Sequence, residues 1–201
     1  MQSGTDRHEF RAFARNFGIV EERLRARLTS PRLRESDELY IVGADITDHN
    51  VKVRDNQIDI KVLRDRAHDM ERWMPALKTA LPVVDAQARR QLIAALGAVP
   101  ELGAAPPDIR HAVEQWVRSQ PGLVPARVFK RRLTGIINDC LCEMTEVSIN
   151  GAWCMTACVE SVDWRTALAL VCELGLDAWP NENYVQAIRR VTGLVPMPVS
   201  R

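Results

Sequence analysis

Five basic side chains stand in pairs or in phase on alternating stretches of the sequence. Lys52 and Arg54 lie in VKVR, Lys61 closes QIDIK, and Lys130 and Arg132 lie in FKRR. Residues two apart on a strand share a face and are separated by roughly 7 Å. Such a pair reaches different oxygens along one phosphate chain, arginine in a bidentate manner and lysine as a point charge. Acids stand in the same phase elsewhere. Glu9 precedes Arg11 by two, Glu143 precedes Thr145 by two, and Glu160 follows Cys158 by two. Carboxylates facing a basic wall suit Mg²⁺ or Mn²⁺, hard ions that bridge protein oxygens to phosphates. An ion so placed polarises a phosphoryl group and positions water, which is the chemistry of metal-assisted hydrolysis or transfer.

Strands are needed to aim these side chains. The stretch NVKVRDNQIDIKVL alternates apolar with charged residues on both sides of Asp55-Asn56, which marks a hairpin. Short strands are also expected at Glu9–Phe13 and Glu38–Val42. Three more are expected at Ala126–Thr134, Asp139–Ile149 and Ala152–Ser161, the last two joined at Asn150-Gly151. Between the two strand regions, about residues 68–120 read as a helical insertion. A first helix carries Trp73, Leu77 and Leu81, with Pro75 near its start and Pro82 at its end. A second is capped by Asp85, carries Leu92, Ile93 and Leu96 inward, and stops at Gly97. The linker PELGAAPP follows, and a third helix carries Ile109, Val113, Trp116 and Val117. Asp163 opens a helix that closes at Gly175, and a last helix runs from about Asn183 to Thr192. Strands, helices, strands and helices in that order predict an α+β fold: an antiparallel β-barrel of about seven to eight strands with helices packed outside. Residues 1–201 are expected to form a single such unit. If helices cover the apolar outside, the charged faces line the barrel's interior.

Composition narrows the function classes. The formal net charge of the 201 residues is +1, which argues against a broad nucleic-acid-binding surface. No run has the apolar length of a membrane span, and the N-terminus lacks a signal-peptide core, so a cytoplasmic location is expected. Five cysteines cannot all pair within one chain, and the spacings of Cys140, Cys142, Cys154 and Cys158 do not match zinc knuckles. Buried, inert thiols are the reading. His8-Glu9 does not continue to H-E-x-x-H, and no Gly-rich phosphate loop or G-x-S-x-G elbow is present. The four histidines read as surface residues, and Trp73, Trp116 and Trp164 as packing residues. Arg23, Arg25 and Arg27 among Glu21 and Glu22 read as a charged loop or short helix, with a lid over a barrel mouth as the sharper alternative.

Taken in order, these motifs resemble the triphosphate tunnel (CYTH-type) family. That family opens with E-x-E-x-K and continues through basic strands to paired acids. RHEFR supplies Glu9 and Arg11, VKVR supplies Lys52 and Arg54, and QIDIK supplies Lys61. FKRR supplies Lys130 and Arg132, CEMT supplies Glu143, and CVES supplies Glu160. The resemblance implies a charged tunnel in which Arg11, Lys52, Arg54, Lys61, Lys130 and Arg132 bind phosphates and Glu9, Glu143 and Glu160 serve Mg²⁺ or Mn²⁺. Glu143, Glu160 and Lys61 are its catalytic candidates. The implied ligand is a phosphate-rich small molecule: a nucleotide, thiamine triphosphate or inorganic triphosphate. Nucleic acid enters only as a 5′-triphosphate end, and no membrane partner is implied. The implied activities are triphosphate hydrolysis or an adenylyl cyclase-like reaction. Arg7, Thr145 and Cys158 stand where the family pattern has acids. This depleted acidic set points to the alternative of a non-catalytic module that binds phosphate, polyphosphate or nucleotide.

Overall fold

Four tight turns set the register of most of the sheet. Asp55-Asn56, His68-Asp69, Asn138-Asp139 and Asn150-Gly151 each hold both central residues at positive φ, between 47° and 90°. That is the backbone of a type I′ hairpin turn, whose twist matches that of the flanking strands. The turns join β3 (His49–Arg54) to β4 (Gln57–Ala67), β4 to β5 (Met70–Ala80), β6 (Leu123–Ile137) to β7 (Cys140–Ile149), and β7 to β8 (Ala152–Ser161). With β1 (Arg7–Ala14) and β2 (Thr29–Gly43), the strands close into an antiparallel barrel in the order β1-β5-β4-β3-β2-β6-β7-β8. Closure is made by β1, which pairs β5 on one side and β8 on the other. The computed structural model describes residues 5–103 and 106–195, so the linker PELGAAPP lies partly outside the described residues.

Alternation sends the apolar residues outward. On one side of the barrel, Phe10 and Ala12 of β1, Met144 of β7 and Val159 of β8 are buried under α1 (Ile19–Arg27) and α4 (Trp164–Leu174). On the other side, Ile41, Val51, Val53, Ile58 and Ile60 are buried under α2 (Ala86–Leu96) and α3 (Ile109–Ser119). Each fully buried Val, Leu or Ile contributes about 1.5–3 kcal/mol of transfer free energy. The helices start where the sequence caps them. The carboxylates of Asp85, Asp108 and Asp163 accept from the backbone N–H groups of Ala88, His111 and Arg165. A helix cap of this kind stabilises by about 1 kcal/mol.

A third apolar cluster lies inside the barrel. Tyr40, Val42, Ala126, Val128, Val147 and Ile149 point inward at one end and pack with Tyr184, Ala187 and Ile188 of α5 (Tyr184–Val191). The helix begins in a capping box at Asn183, whose side chain accepts from Gln186 N–H while the Gln186 side chain accepts from Asn183 N–H. α5 therefore seals this end. No helix among the described residues is long and apolar enough to cross a membrane.

The expected α+β barrel with helices outside is what forms, with eight strands. Three details differ. Residues 70–80 are strand β5 rather than the first helix of an insertion. Pro75 is tolerated there because it pairs Lys61 where the β4–β5 register shifts, so its missing N–H falls at an irregularity in the ladder. Ile93 is exposed, while Leu92 and Leu96 carry the buried face of α2. Finally, the Arg23–Arg27 segment is helix α1 on the barrel's flank and not a lid. Arg23 donates to the Leu174 carbonyl, and Arg27 pairs with Glu173.

Candidate functional site

The inward face of the strands carries the charged residues. Glu9, Arg11, Lys52, Lys61, Lys130, Arg132, Glu143 and Glu160 all line one cavity of about 80 Å³ inside the barrel. Arg54 stands beside it on β3, in phase with Lys52. Every basic and acidic residue singled out by spacing thus converges on the same bore.

The basic wall is organised by a residue whose spacing was not singled out. Glu38, on β2, is fully buried. Its carboxylate lies 3.0 Å from Lys130 Nζ, 3.5 Å from Lys52 Nζ, 3.1 Å from an Arg54 nitrogen and 3.3 Å from an Arg132 nitrogen. Burial opposes its charge, but Lys130, Lys52 and Arg132 hold it far below the ordinary carboxylate range. One anion shared among four cations leaves strong positive potential in a dry setting. The lysines register it. Burial first, then Lys52 and Arg132, bring Lys130 down to about 7 against the pull of Glu38. Burial also lowers Lys52. The Lys130 ammonium donates to the Tyr40 hydroxyl at 2.7 Å and lies over the Tyr184 ring.

The acidic wall is organised by Arg11. Its Nε donates to Glu9 Oε1 at 2.8 Å and its Nη1 to Glu143 Oε1 at 2.9 Å, while Nη2 lies 3.9 Å from Glu160 Oε1. Thr145 also donates to Glu143 Oε1 at 2.9 Å. Although burial opposes it, Arg11, Arg132 and Lys130 hold Glu143 down at about 2. Burial and the charge on Glu9 push Glu160 up. Lys61 stays raised, since Glu160 and Glu9 outweigh the effect of its burial. Arg7, half exposed, lies 3.8 Å from Glu160. It also lines a second cavity of about 200 Å³ that shares Glu9, Lys61, Trp73 and Glu160 with the first, and this is the unsealed end of the bore.

The donor set fits one hard ion. Glu9 and Glu160 are directly opposed cross-strand partners whose like charges repel, and Arg11, 2.8 Å from Glu9 but 3.9 Å from Glu160, offsets this only in part. Their carboxylate oxygens and Cys158 Sγ lie within 4.8 Å of one another. Mg²⁺ is commonly held by one or two carboxylates and completed by phosphate oxygens and water, which this pair provides for. Glu143 is less available, being engaged by Arg11 and Thr145. Cys158, buried beside these acids, has its thiol pushed well up by burial, so it adds little to a site for a hard ion.

Sequence spacing missed Glu38, Tyr40, Asn50, Trp73, Asn183 and Tyr184, all of which line or organise the bore. Glu38 and Tyr40 carried a usable signal, because they alternate with Leu39 and Ile41 in ELYIV as Lys52 and Arg54 alternate with Val51 and Val53.

No protein-family model matches the sequence, and no curated protein matches it. Solved structures do share its fold. A conserved hypothetical protein from Pyrococcus furiosus superposes with a TM-score of 0.53 at 13% identity, covering 89% of this chain and 98% of its own. A Hippeastrum protein described as a candidate adenylyl cyclase with a dominant triphosphatase activity gives 0.51 at 10% identity, covering 93% and 96%. A Bacillus halodurans protein described as a candidate adenylate cyclase gives 0.50 at 12% identity, covering 92% and 98%. The closed eight-stranded antiparallel barrel of this chain, with its helices outside, is thus a fold it shares with these solved structures.

Proposed function

We propose that the protein is a divalent-metal-dependent phosphohydrolase that takes the phosphate chain of a triphosphate-bearing small molecule into its bore. One observation carries this reading: Lys52, Arg54, Lys130 and Arg132 share the single carboxylate of Glu38. A cation excess of that size, held in place before any ligand arrives, is matched by a chain of several phosphates. The described triphosphatase activity of the Hippeastrum protein supports the same substrate class. A nucleotide, thiamine triphosphate and inorganic triphosphate are all candidates.

The roles follow from geometry and charge. Lys52, Arg54, Lys130 and Arg132 bind and orient the phosphate chain, with Lys61 and Arg11 facing it from the acidic side. Glu9 and Glu160 are the residues that would hold Mg²⁺ or Mn²⁺. When bound, the ion polarises a phosphoryl group and acidifies a water. Arg11 is a positioning residue, fixing the rotamers of Glu9 and Glu143. Glu143, held at about 2, stays ionised and takes no proton at neutral pH. Glu160 is pushed up by burial and by Glu9 opposite it, a strain that an ion held between the two carboxylates would relieve. The test is phosphate release from ATP, thiamine triphosphate and tripolyphosphate with Mg²⁺ or Mn²⁺, with cyclic nucleotide sought among the ATP products. Turnover of at least one compound is expected. A folded sample inert toward all three overturns the hydrolase reading.

A second reading is favoured by Arg11 itself, whose guanidinium already neutralises Glu9 and Glu143. On that reading the bore is a binding module for phosphate chains without turnover. Tight binding of tripolyphosphate in EDTA, unaccompanied by hydrolysis when metal is added, selects it.

A further inference from the structure

The sealed end of the bore carries two polar groups that the ion network leaves unused. Tyr184 is only 6% exposed, and its hydroxyl has no hydrogen-bond partner among the described residues. The same is true of the buried Asn50 Oδ1. Both residues line the cavity that contains Arg11 and Lys130. Buried polar groups are nearly always paired, and an unpaired one is costly. A ligand that pairs these two removes that cost.

Their position defines the ligand end they meet. Tyr184 opens α5, the helix that seals the barrel, and its ring centre lies 3.6 Å from Lys130 Nζ. Beyond it stand Val42, Ala126 and Ile149, an apolar plug packed with Ala187 and Ile188 of α5. A phosphate chain entering past Glu9 and Glu160 therefore ends against Tyr184 and Asn50. We propose that Tyr184 and Asn50 form an end stop for a free terminal phosphoryl group, so that the protein takes chains with an unesterified end and rejects chains esterified at both ends. The inference rests on the phosphate-binding reading of the bore. A terminal phosphoryl group accepts from the Tyr184 hydroxyl. Beside Lys130 and Arg11 that group is ionised, and the Asn50 side-chain amide, turned about its Cβ–Cγ bond, donates an N–H to it. A phosphate substituted on both sides has one fewer free oxygen for these donors, and its second substituent would have to enter the plug.

The experiment is calorimetric titration of the full chain with tripolyphosphate, ATP and diadenosine triphosphate, in EDTA and in Mg²⁺. Tripolyphosphate and ATP are expected to bind, and diadenosine triphosphate to bind at least about 100-fold more weakly. Tyr184→Phe, which keeps the ring in the plug, is expected to weaken tripolyphosphate binding about 10-fold without lowering the melting temperature of the free protein. Equal affinity for diadenosine triphosphate and tripolyphosphate overturns the end stop and leaves the phosphate-binding bore standing, and unchanged affinity in Tyr184→Phe does the same. Failure of all three compounds to bind overturns the bore's phosphate reading and the end stop with it. The ligand series uses the unmodified chain and decides the matter even if the variant does not fold.

Discussion

Lys130 Nζ lies 3.6 Å from the centre of the Tyr184 ring, and the ammonium that donates to Tyr40 from this position is almost wholly buried. Burial, Lys52 and Arg132 together bring it down to about 7, so in the free protein it loses its proton above neutrality. Binding an anion favours the ammonium. Tripolyphosphate affinity is therefore expected to fall by up to about tenfold per pH unit above pH 7. Calorimetry at about pH 8 in buffers of different ionisation enthalpy should show close to one proton taken up per ligand. Lys130→Met should bind more weakly and lose this slope. Stability runs the other way. The unfolded lysine titrates near 10.5, so between about 7 and 10.5 the unfolded chain holds the extra proton, and this group's contribution to stability rises with pH. A pH-independent affinity with no proton uptake contradicts the assignment.

Glu38 is the counterion of four cations, and its removal leaves them facing one another in a dry interior. Breaking a buried ion pair at one partner costs about 3–5 kcal/mol. Glu38→Ala is expected to melt well below the parent protein and to recover most of the difference when tripolyphosphate is added. Thermal unfolding with and without the anion reads both effects. A melting temperature matching the parent's removes Glu38 from the centre of the network.

Arg131 and Arg132 are sequence neighbours on opposite faces of β6. Arg132 turns inward to Glu38, whereas Arg131 is half exposed between Glu35 and Glu146. Arg132→Glu is expected to weaken tripolyphosphate binding about 100-fold, because it places a like charge against the ligand inside the bore. Arg131→Glu should stay within about twofold, since exposed ion pairs contribute little. Equal losses in the two variants mean that the phosphate chain binds outside the barrel.

Glu9 and Glu160 face each other across the β1–β8 seam. The paired variant Glu9→Gln/Glu160→Gln is expected to lose Mn²⁺ binding, read by electron paramagnetic resonance, while tripolyphosphate affinity in EDTA holds or rises as negative charge leaves the bore. Mn²⁺ bound as tightly as in the parent places the ion elsewhere.

Much of this architecture was legible because alternation is a strong signal. NVKVRDNQIDIKVL pairs as read, with Val53 opposite Ile58 and Lys52 opposite Asp59. Asn150-Gly151 turns where its residue types demand. The helix caps at Asp85 and Asp163 act as read, and the last helix starts at Asn183 as expected. The β4–β5 hairpin was hidden for a physical reason. MERWMPALKTA contains a proline and has Trp73 and Leu77 at helical spacing, and the turn at His68-Asp69 lacks glycine or asparagine. Barrel closure supplies the pairing on both sides that overrides this weak local preference. Glu38 escaped notice because one acid at the head of an apolar strand resembles a solvated end. Its four partners come from β3, the next strand, and from β6, far along the chain, and only the β2–β3 and β2–β6 registers bring them to it.

The seam between β1 and β8 has a consequence for synthesis. His8 pairs with Ser161, so the first strand waits for the eighth, and Tyr184 arrives later still. Contacts this far apart in the chain form slowly, because a long loop must close before they stabilise anything. On the ribosome, the emerging polypeptide therefore exposes unpaired strand borders until some 180 residues have left the exit channel. A nascent fragment ending before β8 has neither a finished wall nor a ligand cavity, so competence to bind is expected only once β8 and α5 have emerged.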